Sequence, residues 1–310
     1  VYVLDNGSTD GTWDVVQELA RELPAVVPWK SERTPFSDAL RAGIYREFRS
    51  ASQPGDWWCR LDADEFYIDD PRVFLQRVEE MYDVVWTANF SYYFTDKDAA
   101  LYAATPELYG DDVPIEQKIR YYVNHWSEPR FFRFRQGIVW NEDEGFPAFV
   151  YTSPAYPVRM WQKHFPYRSP LQIERRLSDR QEAMGRGVFI HEAIADWGDA
   201  VGSVRESRDL MRRAGVEFAT QRWEDRIVAA STLEFDAHDR RMVLNESLMP
   251  PLPVQRSIWQ RALGRLRSML ARAQGAVGGA PEDGLALAGR RLRLARASTG
   301  SARMRGDGSQ

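Results

Sequence analysis

Apolar and polar positions divide the first ninety residues into short strands and helices that alternate. Residues 1–4 form a β-branched apolar run, and the turn formers Asp5-Asn6-Gly7-Ser8-Thr9-Asp10-Gly11 follow it, so a strand ends in a tight loop. Over 12–23 the apolar positions Trp13, Val16, Leu19, Ala20 and Leu23 share one helical face, with Thr9 or Asp10 available as N-cap. A second apolar run at 25–27 leads through a polar loop to a helix over about 37–49. Residues 57–61 read as a buried strand ended by Asp62-Ala63-Asp64-Glu65; a helix at 71–81 and a strand at 83–89 complete the series. Units of about 30 residues predict a parallel sheet with helices on its faces, and the two acidic clusters then end strands of one sheet.

From 90 to 168 the pattern changes to short aromatic strands, at 130–134, 138–140 and 158–164, that predict an antiparallel extension and a cleft wall. Helices are expected at 169–184 and, less regularly, at 203–214 and 222–230. Pro250-Pro251-Leu252-Pro253 punctuates the end of the compact part. Beyond it, Ile258, Ala262, Leu266, Met269 and Leu270 share a helical face flanked by Arg261, Arg265 and Arg272. This is a basic amphipathic helix, followed from 274 by a Gly-, Ala- and Arg-rich tail expected to be disordered. The expected division is therefore 1–253 and 254–310.

Charge sharpens that division. The net charge of −4 over 310 residues hides eleven arginines against three acids from Arg256 onward (net +8), which leaves 30 bases against 42 acids before it (net −12). A basic tail with only Trp259 interleaved argues against nucleic acid and leaves either a peripheral contact with an anionic membrane or a solvated appendage. The single cysteine, Cys59, excludes a disulfide framework or zinc ribbon and suits a reducing cytoplasm. No apolar run reaches the length of a membrane span.

Ligands of open α/β sheets bind outside the carboxyl ends of the strands, where the two acidic clusters fall. Carboxylates gathered as Asp62-x-Asp64 repel one another, and a divalent cation with oxygen ligands, Mg²⁺ or Mn²⁺, is the common reason to collect them. Such a cation completes its shell with substrate phosphates, which points to a nucleotide diphosphate. Asp5 to Ser8 alone also fits an ordinary turn with a helix cap. His191-Glu192 opens like a zinc-protease helix, but Ala195 stands where the second histidine belongs. An aspartyl-phosphate hydrolase with Asp62 as nucleophile leaves the 5–10 segment without a role. Tyr92, Tyr93, Phe94, Tyr121, Tyr122, Trp126, Trp140 and Trp161 either offer flat faces to a sugar or, as such residues more often do, fill a core.

Two segments carry a family resemblance. Val3-Leu4-Asp5-Asn6-Gly7-Ser8-Thr9-Asp10-Gly11-Thr12 and Leu61-Asp62-Ala63-Asp64-Glu65-Phe66 resemble the first nucleotide-binding segment and the Asp-x-Asp motif of family 2 type glycosyltransferases with the GT-A fold. His164-Phe165-Pro166-Tyr167-Arg168-Ser169 is similar to a His-aromatic-x-x-Arg-Ser segment of a bacterial subgroup, and cell-surface polysaccharide is the expected setting for this chain. The resemblance covers about the first 175 residues. It implies a Rossmann-like sheet with an antiparallel extension, and metal-dependent transfer of a sugar from a nucleotide-sugar donor to a hydroxyl of a glycan, lipid-linked or protein acceptor, with inversion. It further implies that Asp5, Asn6, Ser8, Asp10 and Asp62 hold the nucleotide, with Asp5 accepting from the base. Asp64 and His164 would hold Mn²⁺ or Mg²⁺, Arg168 would meet the diphosphate, and one of Glu142, Asp143 and Glu144 would be the catalytic base. Glu192 and Asp196 form a second pool for that base. A degenerate domain that binds nucleotide sugar or a partner without catalysis is the alternative. The resemblance also implies a further strand and helix ahead of Val1, whose loss would remove a central strand and weaken folding and donor binding.

Overall fold

The computed structural model describes residues 1–34, 36–185, 222–238 and 242–253. Chain contacts separate Val1–Gln255 from Arg256–Gln310. The basic helix, the tail, the helix expected at 203–214 and the Glu192/Asp196 pair lie outside the described residues.

Strand β1 (Tyr2–Asp5) runs into helix α1 (Thr12–Glu22), and β2 (Val27–Ser31) returns parallel to β1, with Asp5 opposite Ser31. Two glycines make the first turn possible, Gly7 at φ 79° and Gly11 at φ 86°, which an L side chain rarely adopts. A Cβ on Gly7 would also strike Arg33. Helix α2 (Ala39–Phe48) leads to β3 (Trp57–Cys59), and after the Asp62–Asp64 loop come β4 (Glu65–Tyr67) and α3 (Pro71–Leu75).

The centre of the molecule is β5 (Val84–Tyr93), ten residues all buried. Its sequence, rich in β-branched and aromatic residues and free of Gly and Pro, suits a strand covered on both faces. Helices α4 (Asp96–Ala104) and α5 (Ile115–Lys118) follow, then the thirteen-residue β6 (Tyr121–Arg133), β7 (Met160–His164), α6 (Pro170–Gly185) and β8 (Glu234–Phe235). The larger sheet has the order β3-β6-β5-β7-β4, with β8 also on β6. Only β5 and β7 run parallel in it. The fold is a mixed α/β arrangement of the GT-A kind with a mostly antiparallel main sheet.

Three apolar clusters support it. Phe90, Tyr92, Phe94, Phe165 and Ile173 pack beneath α6; Tyr45, Phe132 and Phe146 pack beneath α2; Val85, Phe131 and Met160 fill the opposite side. Of the eight aromatics named from the sequence, Tyr92, Tyr93, Phe94 and Tyr122 are buried in the core, and Trp140 and Trp161 pack partly buried against it.

Four expectations need correction. The two acidic clusters do not end strands of one hydrogen-bonded sheet: β1 pairs only with β2, whereas Trp57–Cys59 is taken up antiparallel by Phe131–Arg133 of β6. The helix expected over 71–81 stops at Leu75, and the Arg133 guanidinium bonds the Val78 and Tyr82 carbonyls beyond it. Residues 138–140 form no strand; Val139 is exposed, while Trp140 stacks on Phe146 within a loop. The stretch 222–230 contains a single 3₁₀ turn, Trp223–Arg226, ahead of another at Ala230–Thr232, rather than a continuous helix.

Candidate active site

Asp5 ends β1 with only 4% of its surface exposed. Its carboxylate accepts from the Gly7 and Ser8 backbone N–H groups at 3.2 Å and from Ser31 Oγ at 2.6 Å. Burial raises its pKa, but the hydrogen bonds from Ser31, Ser8 and Gly7 outweigh that and hold it below the usual carboxylate range. These bonds shape the loop from within. Asp5→Ala is expected to cost about 1–3 kcal/mol in urea unfolding, because three donors lose their acceptor; a change near zero would show that the loop holds itself. Asp10 accepts from Thr12 N at 3.1 Å and Thr12 Oγ1 at 2.6 Å, while the N-cap of α1 is Gly11 rather than the expected Thr9 or Asp10, with no side-chain capping bond.

The second acidic cluster is embedded in arginines. Asp62 meets Arg41 at 3.2 Å, Arg130 at 3.0 Å and Arg60 at 3.7 Å. Burial raises its pKa, yet the three guanidiniums win and depress it well below the usual range. Asp64 lies 3.6 Å from both His164 Nε2 and Arg176 Nη1. Against the upward effect of burial, these neighbours pull its carboxyl down to about 2, so it is ionised at neutral pH. Local backbone pairing explains its meeting with His164: Glu65 is opposite His164 across β4 and β7, and the Asp64 carbonyl accepts from Phe165 N at 2.9 Å.

Beneath this loop Arg130, 1% exposed on β6, binds three carboxylates at once: Asp62, Glu65 and, at 2.7 Å, Glu128. Glu128 also pairs with Arg60 at 2.9 Å. Burial resists its ionisation, but Arg130 and Arg60 lower its pKa. Glu65 behaves oppositely. Its burial, reinforced by the nearby Asp62 and Glu128 charges, outweighs Arg130 and raises it to about 7, and among the described residues its Oε2 has no hydrogen-bond partner.

A cleft of about 1150 Å³ joins these parts. Asn6, Ser8 and Asp10 enter it from the first loop, Asp62, Asp64 and Glu65 from the second, and His164 from the end of β7. Helix α6 adds Arg175, Arg176 and Arg180. Burial first, then the neighbouring Arg176 charge, depress Arg180 to about 9. The floor contributes Asn89 of β5 and Trp126, Glu128 and Arg130 of β6.

The cleft thus unites the two motif loops and His164, with Asp5 directly behind the first. Arg168 is not among its lining residues; it is exposed, and its backbone N–H donates to Gln172 Oε1. Glu142, Asp143 and Glu144 are also absent from the lining, and Glu142, 61% exposed at its side chain, pairs with Arg46 at 2.7 Å. Sequence reasoning missed Arg130, Glu128 and Asn89. It also passed over the α6 arginines, although Arg176 and Arg180, four apart in a predicted helix, carry a readable one-face signal.

Asp64 and His164 supply a carboxylate and an imidazole, a donor pair that suits a cation sharing its shell with phosphate and water. Among the described residues no three His, Cys, Asp or Glu side chains gather closely enough to hold a metal by themselves. No helix among them is long and apolar enough to cross a membrane.

The sheet is arranged as in the GT-A fold, and the Asp62–Asp64 loop and the loop after β1 open on the same cleft. The profile of "Glycosyl transferase family 2" matches residues 1–148, which supports a glycosyltransferase domain of the GT-A kind over that stretch. No curated protein matches the chain.

Proposed function

We propose that the cleft binds a nucleotide-diphosphate sugar and transfers its sugar, with inversion, to a hydroxyl of a glycan, lipid-linked or protein acceptor. The observation that carries this is the convergence of the Asn6–Asp10 loop, Asp62, Asp64, His164 and three α6 arginines on one cavity. Asn6, Ser8 and Asp10 surround the nucleoside, Asp62 lies toward the ribose, and Asp5 holds the first loop in shape from behind rather than meeting the base, because its carboxylate is occupied by Gly7, Ser8 and Ser31. Arg175, Arg176 and Arg180 take the diphosphate in place of Arg168, because guanidiniums match phosphate oxygens in pairs. Asp64 and His164 hold Mn²⁺ or Mg²⁺, which when bound neutralises charge growing on the leaving diphosphate. Arg41, Arg60 and Arg130 fix the Asp62 carboxylate, so that the loop need not reorganise as that charge develops.

The expected result of incubating the chain with UDP-, GDP- and dTDP-sugars and Mn²⁺ is release of nucleoside diphosphate from one donor class. Release from none, with binding intact, selects the non-catalytic domain, a reading favoured by the absence of Glu142, Asp143 and Glu144 from the cleft lining. Absence of both binding and release contradicts the proposal.

A further inference from the structure

The cleft floor contains one large aromatic residue that the core does not absorb. Trp126 lies opposite Asn89 across β6 and β5, and both line the cavity. Trp126 is 40% exposed, although Ser127 and Arg130 on the same strand are buried to 3% and 1%. Two positions on along β6 stands the Glu128 carboxylate, which Arg60 and Arg130 clamp at 2.9 and 2.7 Å and which also lines the cavity. The ring therefore lies beside a fixed ion-pair cluster with part of its apolar surface open to the cavity.

Beside it, Asn89 is 1% exposed and has its Oδ1 occupied by Thr87 Oγ1 at 3.0 Å and its carbonyl by Asn124 Nδ2 at 3.0 Å. Among the described residues its Nδ2 donates to nothing, which leaves that amide for a ligand in the cleft. A flat apolar surface bordered by an amide donor and a carboxylate acceptor complements a pyranose, whose C–H face is apolar and whose rim carries hydroxyls. The groups assigned to the nucleotide and its diphosphate come from the loops after β1 and β3 and from α6, whereas Trp126 and Asn89 belong to the sheet floor.

We propose that Trp126, with Asn89 and Glu128, is a stacking platform for a pyranose ring of the acceptor. Naming the ring as the acceptor's rests on the transferase reading; the platform itself rests only on the geometry of the floor. The test is saturation-transfer NMR on the full chain with methyl pyranosides of gluco, galacto, manno and rhamno configuration, alongside separate titrations with UDP and GDP in the presence of Mn²⁺. Ring C–H protons of at least one glycoside should receive saturation. Trp126→Ala should weaken that glycoside about tenfold, Trp126→Phe should retain much of the binding, and nucleotide binding should be unchanged in both. An unaltered urea midpoint in the variants excludes general damage. The proposal is overturned if no pyranoside binds, if Trp126→Ala binds it as well as the parent does, or if nucleotide binding falls with it, which would make Trp126 a nucleobase platform. Pyranoside binding that depends on Trp126 in a chain that binds no nucleotide would sink the transferase reading and leave the platform standing.

Discussion

Arg130→Met is expected to destabilise the chain by about 3–5 kcal/mol in urea or thermal unfolding, the cost typical of breaking a buried ion cluster from one side. The guanidinium alone touches Asp62, Glu65 and Glu128, and the Glu65 side chain is only 3% exposed. Removing the arginine leaves carboxylates with their desolvation cost and less countercharge. Arg130→Lys should recover only part of the loss, since a point charge cannot bond three carboxylates in the plane of a fork. Adding Glu65→Leu to Arg130→Met should restore stability relative to the single variant, a coupling that a double-mutant cycle measures.

The pH dependence has a definite sign. Glu65 has a raised pKa, so the native state holds its proton longer than the unfolded chain does. Its penalty is absent below about pH 4, grows through about pH 7 and then stays constant; Arg130→Met should enlarge that penalty. The variant should accordingly lose more stability at pH 8 than at about pH 4. Equal losses at the two values, or a loss below about 1 kcal/mol, would show that water rather than Arg130 compensates these carboxylates.

What the sequence discloses here follows the range of the interactions involved. The loop after β1 is legible because its determinants are neighbours: Gly7 supplies the left-handed turn, and Asp5 bonds residues two and three positions on. The Asp62–Asp64 loop is legible by its spacing. Arg130 is not, because two of its three partners, Glu65 and Asp62, stand 65 and 68 positions away and meet it only after β6 has paired with β3 and β5. Trp126 is ambiguous for the same reason: in sequence it is one aromatic among many, and register alone separates it from the buried Tyr122. Alternation of elements predicts strands 1 and 3 in a single sheet but is silent about which edge each strand meets. The base among Glu142, Asp143 and Glu144 is implied by the family resemblance alone, whereas Arg46 draws Glu142 into an exposed pair outside the cleft lining.

The second large effect is expected at Asp64. Asp64→Asn keeps the size of the side chain and its contact with Phe165 through the backbone, but removes the charge that His164 and Arg176 face. Sugar transfer should fall on the order of 10²–10³-fold, the scale of losing one electrostatic stabiliser of the reacting centre. The fold should persist. Because the Asp64 carboxyl is depressed to about 2, its stabilising contribution is complete above about pH 4 and disappears as the pH falls through about 2. The parent should therefore lose part of its acid-limb stability in that window, and Asp64→Asn should show a shallower decline.

Calorimetric titration of UDP and GDP, each with and without Mn²⁺, into the parent chain and Asp64→Asn addresses the cleft most directly. A nucleotide-diphosphate site organised by the Asp62–Asp64 loop requires that one nucleotide bind the parent in a Mn²⁺-dependent manner and that this dependence vanish in Asp64→Asn at unchanged thermal stability. Equal Mn²⁺-dependent binding by both proteins, or binding of neither nucleotide by the parent, would contradict it.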